Sequence, residues 1–364
     1  MNAEEMQKQK EALHKVWNKR PLIIAGPCSA ETEEQVLETA TGLAATGKVD
    51  VFRAGIWKPR TRPGSFEGIG VKGLPWLQAA KKATGLLMAV EVATPKQVEN
   101  ALEFGIDILW IGGRTTVNPF SVQDIADALR GADVPVLIKN PLNPDLELWT
   151  GAVERIARAG INDIGLIHRG FATYGNTDFR NPPMWHLAID MKLRYPELPF
   201  IVDPSHICGN REGLLSVAQK AIDLDYDGII LETHCSPDKA WSDAKQQVTP
   251  EKLNEILSEI IWRKEDKDNI DHAALEKYRQ QINNLDDELI QLLAQRMKVS
   301  QNIGKYKKEN AITILQTNRW NEILETAVAK GERAGLSKEF VTRYFDAIHM
   351  ESIGHQNRIM NDEE

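Results

Sequence analysis

FRAGIWKPRTRPGSF, residues 52–66, is the stretch on which the reading of this chain turns. It carries Arg53, Lys58, Arg60 and Arg62 and no acidic side chain, in a protein of formal net charge -8. Crowded like charges repel, so the cluster asks for an anion. Pro59 fixes its own φ and pushes Lys58 toward extended backbone, which makes the loop stiff. Apolar Val49, Val51 and Phe52 come first, so the cations stand at the end of a strand. A rigid cationic loop there reads as a clamp for phosphate or carboxylate. A solvated surface loop is the competing reading, and the rest of the chain decides between them.

A length of 364 residues allows two or three domains. With 42% hydrophobic and 26% charged residues, the composition is that of an ordinary globular protein. No apolar run reaches the ~18 residues of a spanning helix. The opening MNAEEMQKQKEALHKVW has early acids and no apolar core, so neither membrane insertion nor a secretory leader is expected. Cys28, Cys208 and Cys235 are too few for a disulfide scaffold and fit a reducing cytoplasm. A pI near 5.6 gives no general field for nucleic acid.

After a short helix expected over 4–18, a rhythm begins. Strand-like runs recur at 22–25, 49–53, 87–92, 108–111, 134–139, 164–168, 200–202 and 228–231, with helix-like segments between them. Strands alternating with helices imply a parallel sheet. Eight units in about 240 residues predict an α/β fold, a (β/α)8 TIM barrel. An open doubly wound sheet ranks second, because no GxGxxG turn follows the first strand.

In such a barrel the carboxyl ends of all strands face one mouth. Cations Arg53, Lys58, Arg60, Arg114, Lys139 and Arg169 come from strands two, four, five and six. Lys139 tells most, since an unpaired lysine closing an apolar strand is costly. Cys28, His206, Glu232 and Asp243 come from strands one, seven and eight, which are neighbours once the barrel closes. Their mixed S, N and O donors suit a divalent transition metal, with His234 able to replace one of them. The cations can hold two phosphates and a carboxylate, and a metal beside them can polarise a carbonyl. The implied chemistry is condensation of two phosphorylated small molecules, one of them an aldehyde or ketone.

GPCS, FRAGxWKPRT, GGRTT, KN, HRG, DPSH and LETHCSPDKAWSD, in unbroken order over residues 20–262, resemble the type I 3-deoxy-D-arabino-heptulosonate 7-phosphate synthases. The resemblance implies a metal-dependent barrel joining phosphoenolpyruvate to erythrose 4-phosphate. It implies Cys28, His206, Glu232 and Asp243 as ligands of Mn, Fe, Co or Zn. Arg53, Lys58, Arg114, Lys139 and Arg169 would surround phosphoenolpyruvate, with Lys58 the catalytic candidate. Arg60 and Thr61 would take the erythrose phosphate. A sister family making an eight-carbon sugar acid phosphate shares half these motifs, and the full KPRT loop speaks for the seven-carbon product.

Residues 263–270, rich in charge, read as a linker between a barrel domain over 1–262 and a helical domain over 271–364. From Leu275 to Tyr306 apolar residues follow an unbroken 3-4 spacing, which predicts one helix of nearly forty residues, about 60 Å long. Helices over 319–330 and 338–357 follow. A coiled-coil dimerisation arm is one reading. Arg296 on the apolar seam argues for a ligand, because a buried arginine needs an anion. Lys307 lies about 17 Å along the helix on nearly the same face and could share that ligand. Arg279 lies about 26 Å the other way, so a partner chain would have to supply it.

YRxxIxxLDxELIxLLAxR…GKYK resembles the all-helical chorismate mutases over 271–360. That resemblance implies that Arg279 of the other chain, Arg296, Lys307, Gln316, Arg319, Ser352 and Gln356 contact chorismate, with Arg296, Lys307 and Gln356 catalytic. The family often has an acid at the place of Gln316 and a glutamate at that of Trp320. The sum is a bifunctional enzyme that forms a homodimer through its helical domain, a higher oligomer staying open. A helical domain that only dimerises or senses prephenate is the alternative.

Overall fold

The computed structural model describes residues 11–59, 64, 66–175, 177–263 and 272–361. Two compact units, Met1–Glu265 and Asp266–Glu364, make up the chain, and each is described by itself. Arg60 and Thr61, the first residues of the expected N-terminal helix and most of the expected linker lie outside the described residues.

The first unit is a closed barrel of eight parallel strands. They are β1 (Leu22–Gly26), β2 (Val51–Arg53), β3 (Leu87–Val92), β4 (Ile108–Ile111), β5 (Val136–Lys139), β6 (Ile164–His168), β7 (Phe200–Val202) and β8 (Gly228–Glu232). β8 pairs back onto β1, Leu22 opposite Gly228 and Gly26 opposite Glu232. The strands lie where the sequence rhythm put them. The helix Leu74–Thr84, not foreseen, fills the β2–β3 connection, with Pro75 in its first turn and Gly85 at its end.

Alternation along each strand sorts side chains between two cores. Ile23 and Ala25 pack outward under the helical layer. Leu22 and Ile24 face inward with Val51, Trp110, Leu137 and Ile230. Trp17, with Leu13 and Val16 of the helix over 11–17, packs against this inner cluster. The same parity sends Arg53, Glu91, Lys139 and Glu232 inward at the carboxyl ends. Asp203 and Arg169, one residue past β7 and β6, continue it. The apolar filling thus stops where a charged layer begins.

Gly26 is required at the end of β1. Its φ is +149°, and a Cβ there would lie 2.0 Å from the Arg53 carbonyl oxygen. Helix starts are fixed by local caps: Thr32, Asp145 and Thr249 side chains accept from backbone N–H groups of the following first turn.

Among its described residues the second unit has three helices, His272–Glu309, Thr317–Arg333 and Lys338–Met360. The first, of 38 residues, packs mainly along the third. Its apolar seam does not close within the chain: Ile282 is 58% exposed and Leu285 63%. Arg296, read from its seam position as buried, is only half-buried, because it borders the open pocket between the three helices.

Candidate active sites

The mouth of the barrel holds a cavity of about 230 Å³. Arg53, Lys58, Arg114, Lys139 and Arg169 all line it, as do His206, Glu232 and Asp243. Five of the six dispersed cations therefore converge, while Arg60 lies outside the described residues.

Each deep charge has a built partner. Lys139 Nζ lies 2.7 Å from Asp203 Oδ2, both nearly inaccessible. Arg53 Nη1 lies 3.4 Å from Glu232 Oε1. Trp110 sits beneath, its ring 4.9 Å from the Arg53 guanidinium carbon and 5.9 Å from Lys139 Nζ. Arg169 donates to Asn181 Oδ1 at 3.0 Å, and burial lowers it to about 10, still far above neutrality. Burial opposes ionisation of Asp203, but His206 and Lys139 together hold its carboxyl well below the usual range.

The expected metal ligands stand as two pairs. Cys28 Sγ lies 3.2 Å from Asp243 Oδ2, and His206 Nε2 lies 3.8 Å from Glu232 Oε1. Among the described residues no three His, Cys, Asp or Glu side chains are drawn together tightly enough to enclose an ion. Their chemistry nevertheless fits one. Burial, with Glu232 next, pushes the Cys28 thiol up to about 12 against the opposing pull of Lys58 and Arg53, and a divalent cation bound here would favour the thiolate. Burial lowers His206 against the opposing pull of Asp203, which favours the free lone pair that a ligand to a metal needs. His206 Nδ1 lies 2.8 Å from Asp203 Oδ2, off the line of a hydrogen bond, which leaves Nε2 on the Glu232 side. Glu232 Oε1 is buried without a hydrogen bond. The Lys58 ammonium instead touches both the Cys28 sulfur and the Cys28 carbonyl oxygen.

His234 is not a substitute ligand: Nε2 faces Glu31 Oε2 at 3.4 Å and Nδ1 accepts from the Ser236 backbone. Sequence reasoning gave no role to Glu91, Asp203, Arg180 or Gln246. Arg180 donates to Asp243 at 3.0 Å and to Gln246, which in turn donates to Glu232 Oε2 at 2.6 Å. Inward parity at strand ends could have found Glu91 and Asp203. Nothing local marks Arg180, which reaches the site from a loop.

The helical unit has its own pocket of about 350 Å³. Arg296 and Lys307 line it from the first helix and Arg319 from the second, with Gln316 just before that helix. Ser352 and Gln356 line it from the third. Arg296 donates to Ser352 Oγ, and Lys307 to the Ile314 carbonyl. Arg279 lies apart, exposed and paired with Glu276 at 3.6 Å.

Residues 6–270 match the DAHP synthetase I family, and residues 278–357 match chorismate mutase type II. A phospho-2-dehydro-3-deoxyheptonate aldolase of Thermotoga maritima is 35% identical over 246 residues, 68% of this chain and 70% of that protein. The crystal structure of that aldolase from Thermotoga maritima superposes with TM-score 0.59 at 35% identity, covering 66% of this chain and 68% of the other. A 2-dehydro-3-deoxyphosphooctonate aldolase of Desulfatibacillum aliphaticivorans is 32% identical over 266 residues, 66% of this chain and 90% of that protein. With its closed barrel, converging cations and helical pocket, the chain belongs to the DAHP synthetase I family and carries a chorismate mutase type II domain C-terminal to the barrel in sequence.

Proposed function

We propose that the barrel condenses phosphoenolpyruvate with erythrose 4-phosphate, releasing phosphate, and that the helical unit isomerises chorismate to prephenate. The observation that carries the first half is the cavity in which Arg53, Arg114, Lys139 and Arg169 converge beside Cys28, His206, Glu232 and Asp243. Lys139, Arg169 and Arg114 neutralise the phosphate and carboxylate of phosphoenolpyruvate, and Lys58 stands between them and the donor set. Arg60 and Thr61 take the phosphate of erythrose 4-phosphate. The new C–C bond joins the methylene carbon of phosphoenolpyruvate to the aldehyde carbon. Water adds to the neighbouring carbon, and phosphate leaves with the oxygen it held. Cys28, His206, Glu232 and Asp243 would hold a divalent Mn, Fe, Co or Zn ion, which when bound supplies Lewis-acid polarisation of the aldehyde.

In the helical pocket Arg296 and Arg319 bind the two carboxylates and hold the compact reacting conformer. Lys307 and Gln356 stabilise charge developing on the ether oxygen. Gln356 Nε2 donates to Ser300 Oγ at 3.1 Å while Oε1 has no partner, so this role requires the amide to turn over. Arg279 comes from the second copy of a homodimer. The enzyme acts in the cytoplasm. No helix among the described residues is long and apolar enough to cross a membrane.

A coupled assay tests both halves: phosphate release from the two phosphorylated substrates, and loss of chorismate absorbance. A chelator and Cys28→Ala should each abolish phosphate release by at least ~100-fold and leave chorismate turnover unchanged. Phosphate release that survives Cys28→Ala removes the metal assignment. Arg296→Ala should abolish mutase turnover in a folded protein, and unchanged turnover would favour a helical unit that only dimerises. Fusion of an early and a later step supports feedback, in which prephenate bound by the helical unit inhibits the barrel. Coupling requires prephenate to bind two states unequally. Condensation kinetics and solution scattering both indifferent to prephenate would rule it out.

A further inference from the structure

On the third helix, His349, Ser352, Ile353 and Gln356 share one face and all line the mutase pocket. His349 is the polar member of that face to which no role has been given. Its ring stacks on Trp320, with centroids 3.9 Å apart and planes 16° from parallel. Trp320 is also where this chain departs from the family pattern. His349 Nε2 is buried and has no hydrogen-bond partner. An orphaned ring nitrogen beside a ligand cavity is costly unless a ligand completes it.

Its surroundings decide what it can do. Arg296, Lys307 and Arg319 offer donors only. Burial first, then Arg296, lower the His349 pKa, with Lys307 acting the same way and Asp346 opposing. The ring is therefore neutral near pH 7 and can offer one lone pair. A dicarboxylate finds donors in abundance here. A hydroxyl on the same ligand is itself a donor and needs an acceptor, which the three cations cannot provide and which, among the other lining side chains, Gln316 and His349 can. Gln356, whose Oε1 is the other orphaned acceptor, is turned over in the reading above so that its Nε2 donates to the ether oxygen.

We propose that His349 is a specificity-determining substrate contact of the mutase: its Nε2, held in place by the stack on Trp320, accepts the hydrogen bond of the ring hydroxyl of the substrate. This rests on the reading of the pocket as the chorismate site. The test uses the full-length protein and two substrates, chorismate and its analogue lacking the ring hydroxyl. His349→Phe keeps a stacking ring and deletes the nitrogen; His349→Gln deletes the ring and keeps an acceptor. For chorismate, His349→Phe should raise KM about tenfold with little change in kcat, and His349→Gln should recover part of that loss. For the analogue, wild type and His349→Phe should have equal KM. The ratio between substrates within one variant cancels any loss of folded protein, which thermal melts measure separately. Equal losses on both substrates, or no loss on chorismate, overturn the proposal. Wild-type protein that does not turn over chorismate at all would instead remove the underlying assignment.

Discussion

At the scale of single residues, the barrel mouth is a set of buried charges that depend on one another. Lys139 and Asp203 are both inaccessible and 2.7 Å apart. Lys139→Met leaves the Asp203 carboxylate short of its partner, so the barrel should lose roughly 3 kcal/mol in denaturant unfolding as well as its condensation activity. A loss below about 1 kcal/mol would show that His206 alone sustains Asp203. His168 faces outward and is neutral. Burial lowers its pKa to about 4, with Nε2 bonded to the Pro183 carbonyl and Nδ1 to Tyr226 Oη at 2.8 Å. An unfolded histidine takes a proton near 6.5, so between about 6.5 and 4 the unfolded chain binds more protons than the folded one. Its contribution is complete above that window and is lost as pH falls through it, by up to on the order of 3 kcal/mol. His168→Gln should lower stability at pH 7 but flatten the slope between pH 6.5 and 4, measured by melts across pH.

At the scale of elements, strand ends place the chemistry and glycine lets them approach. A Cβ on Gly26 would meet the Arg53 carbonyl oxygen at 2.0 Å, in a backbone region that L side chains rarely adopt. Gly26→Ala should therefore cost roughly 3 kcal/mol or more and displace Arg53 from the mouth. Gly47→Ala is the control: its φ is +64° but its Cβ would meet nothing, so roughly 1 kcal/mol is expected. Comparable melting temperatures for the two variants would show that the β1–β2 approach is not tight.

At the scale of the whole molecule, the proposed homodimer rests on the exposed seam of the long helix and on Arg279, which lies apart from the pocket that Arg296 lines. If Arg279 is supplied in trans, Arg279→Ala and Arg296→Ala should each be inactive as mutases. Co-expressed, they should recover about a quarter of wild-type turnover, because half of the dimers are mixed and each mixed dimer has one intact site. No recovery would place both arginines in sites of the same chain, and an Arg279→Ala variant active by itself would show Arg279 to be dispensable. The sequence by itself determined the periodicities, and through them much of the architecture. Short apolar runs separated by helix-like segments placed β1 to β8; 3-4 spacing placed the 38-residue helix; and cations ending apolar runs marked the mouth. These are local properties, written in the order of side chains along the backbone. Only the tertiary structure decided that Arg180 reaches Asp243 across 63 positions, that His234 belongs to Glu31, and that His349 lies against Trp320. Those pairings depend on how loops and helix faces are packed, and no repeat in the sequence encodes the distance between them.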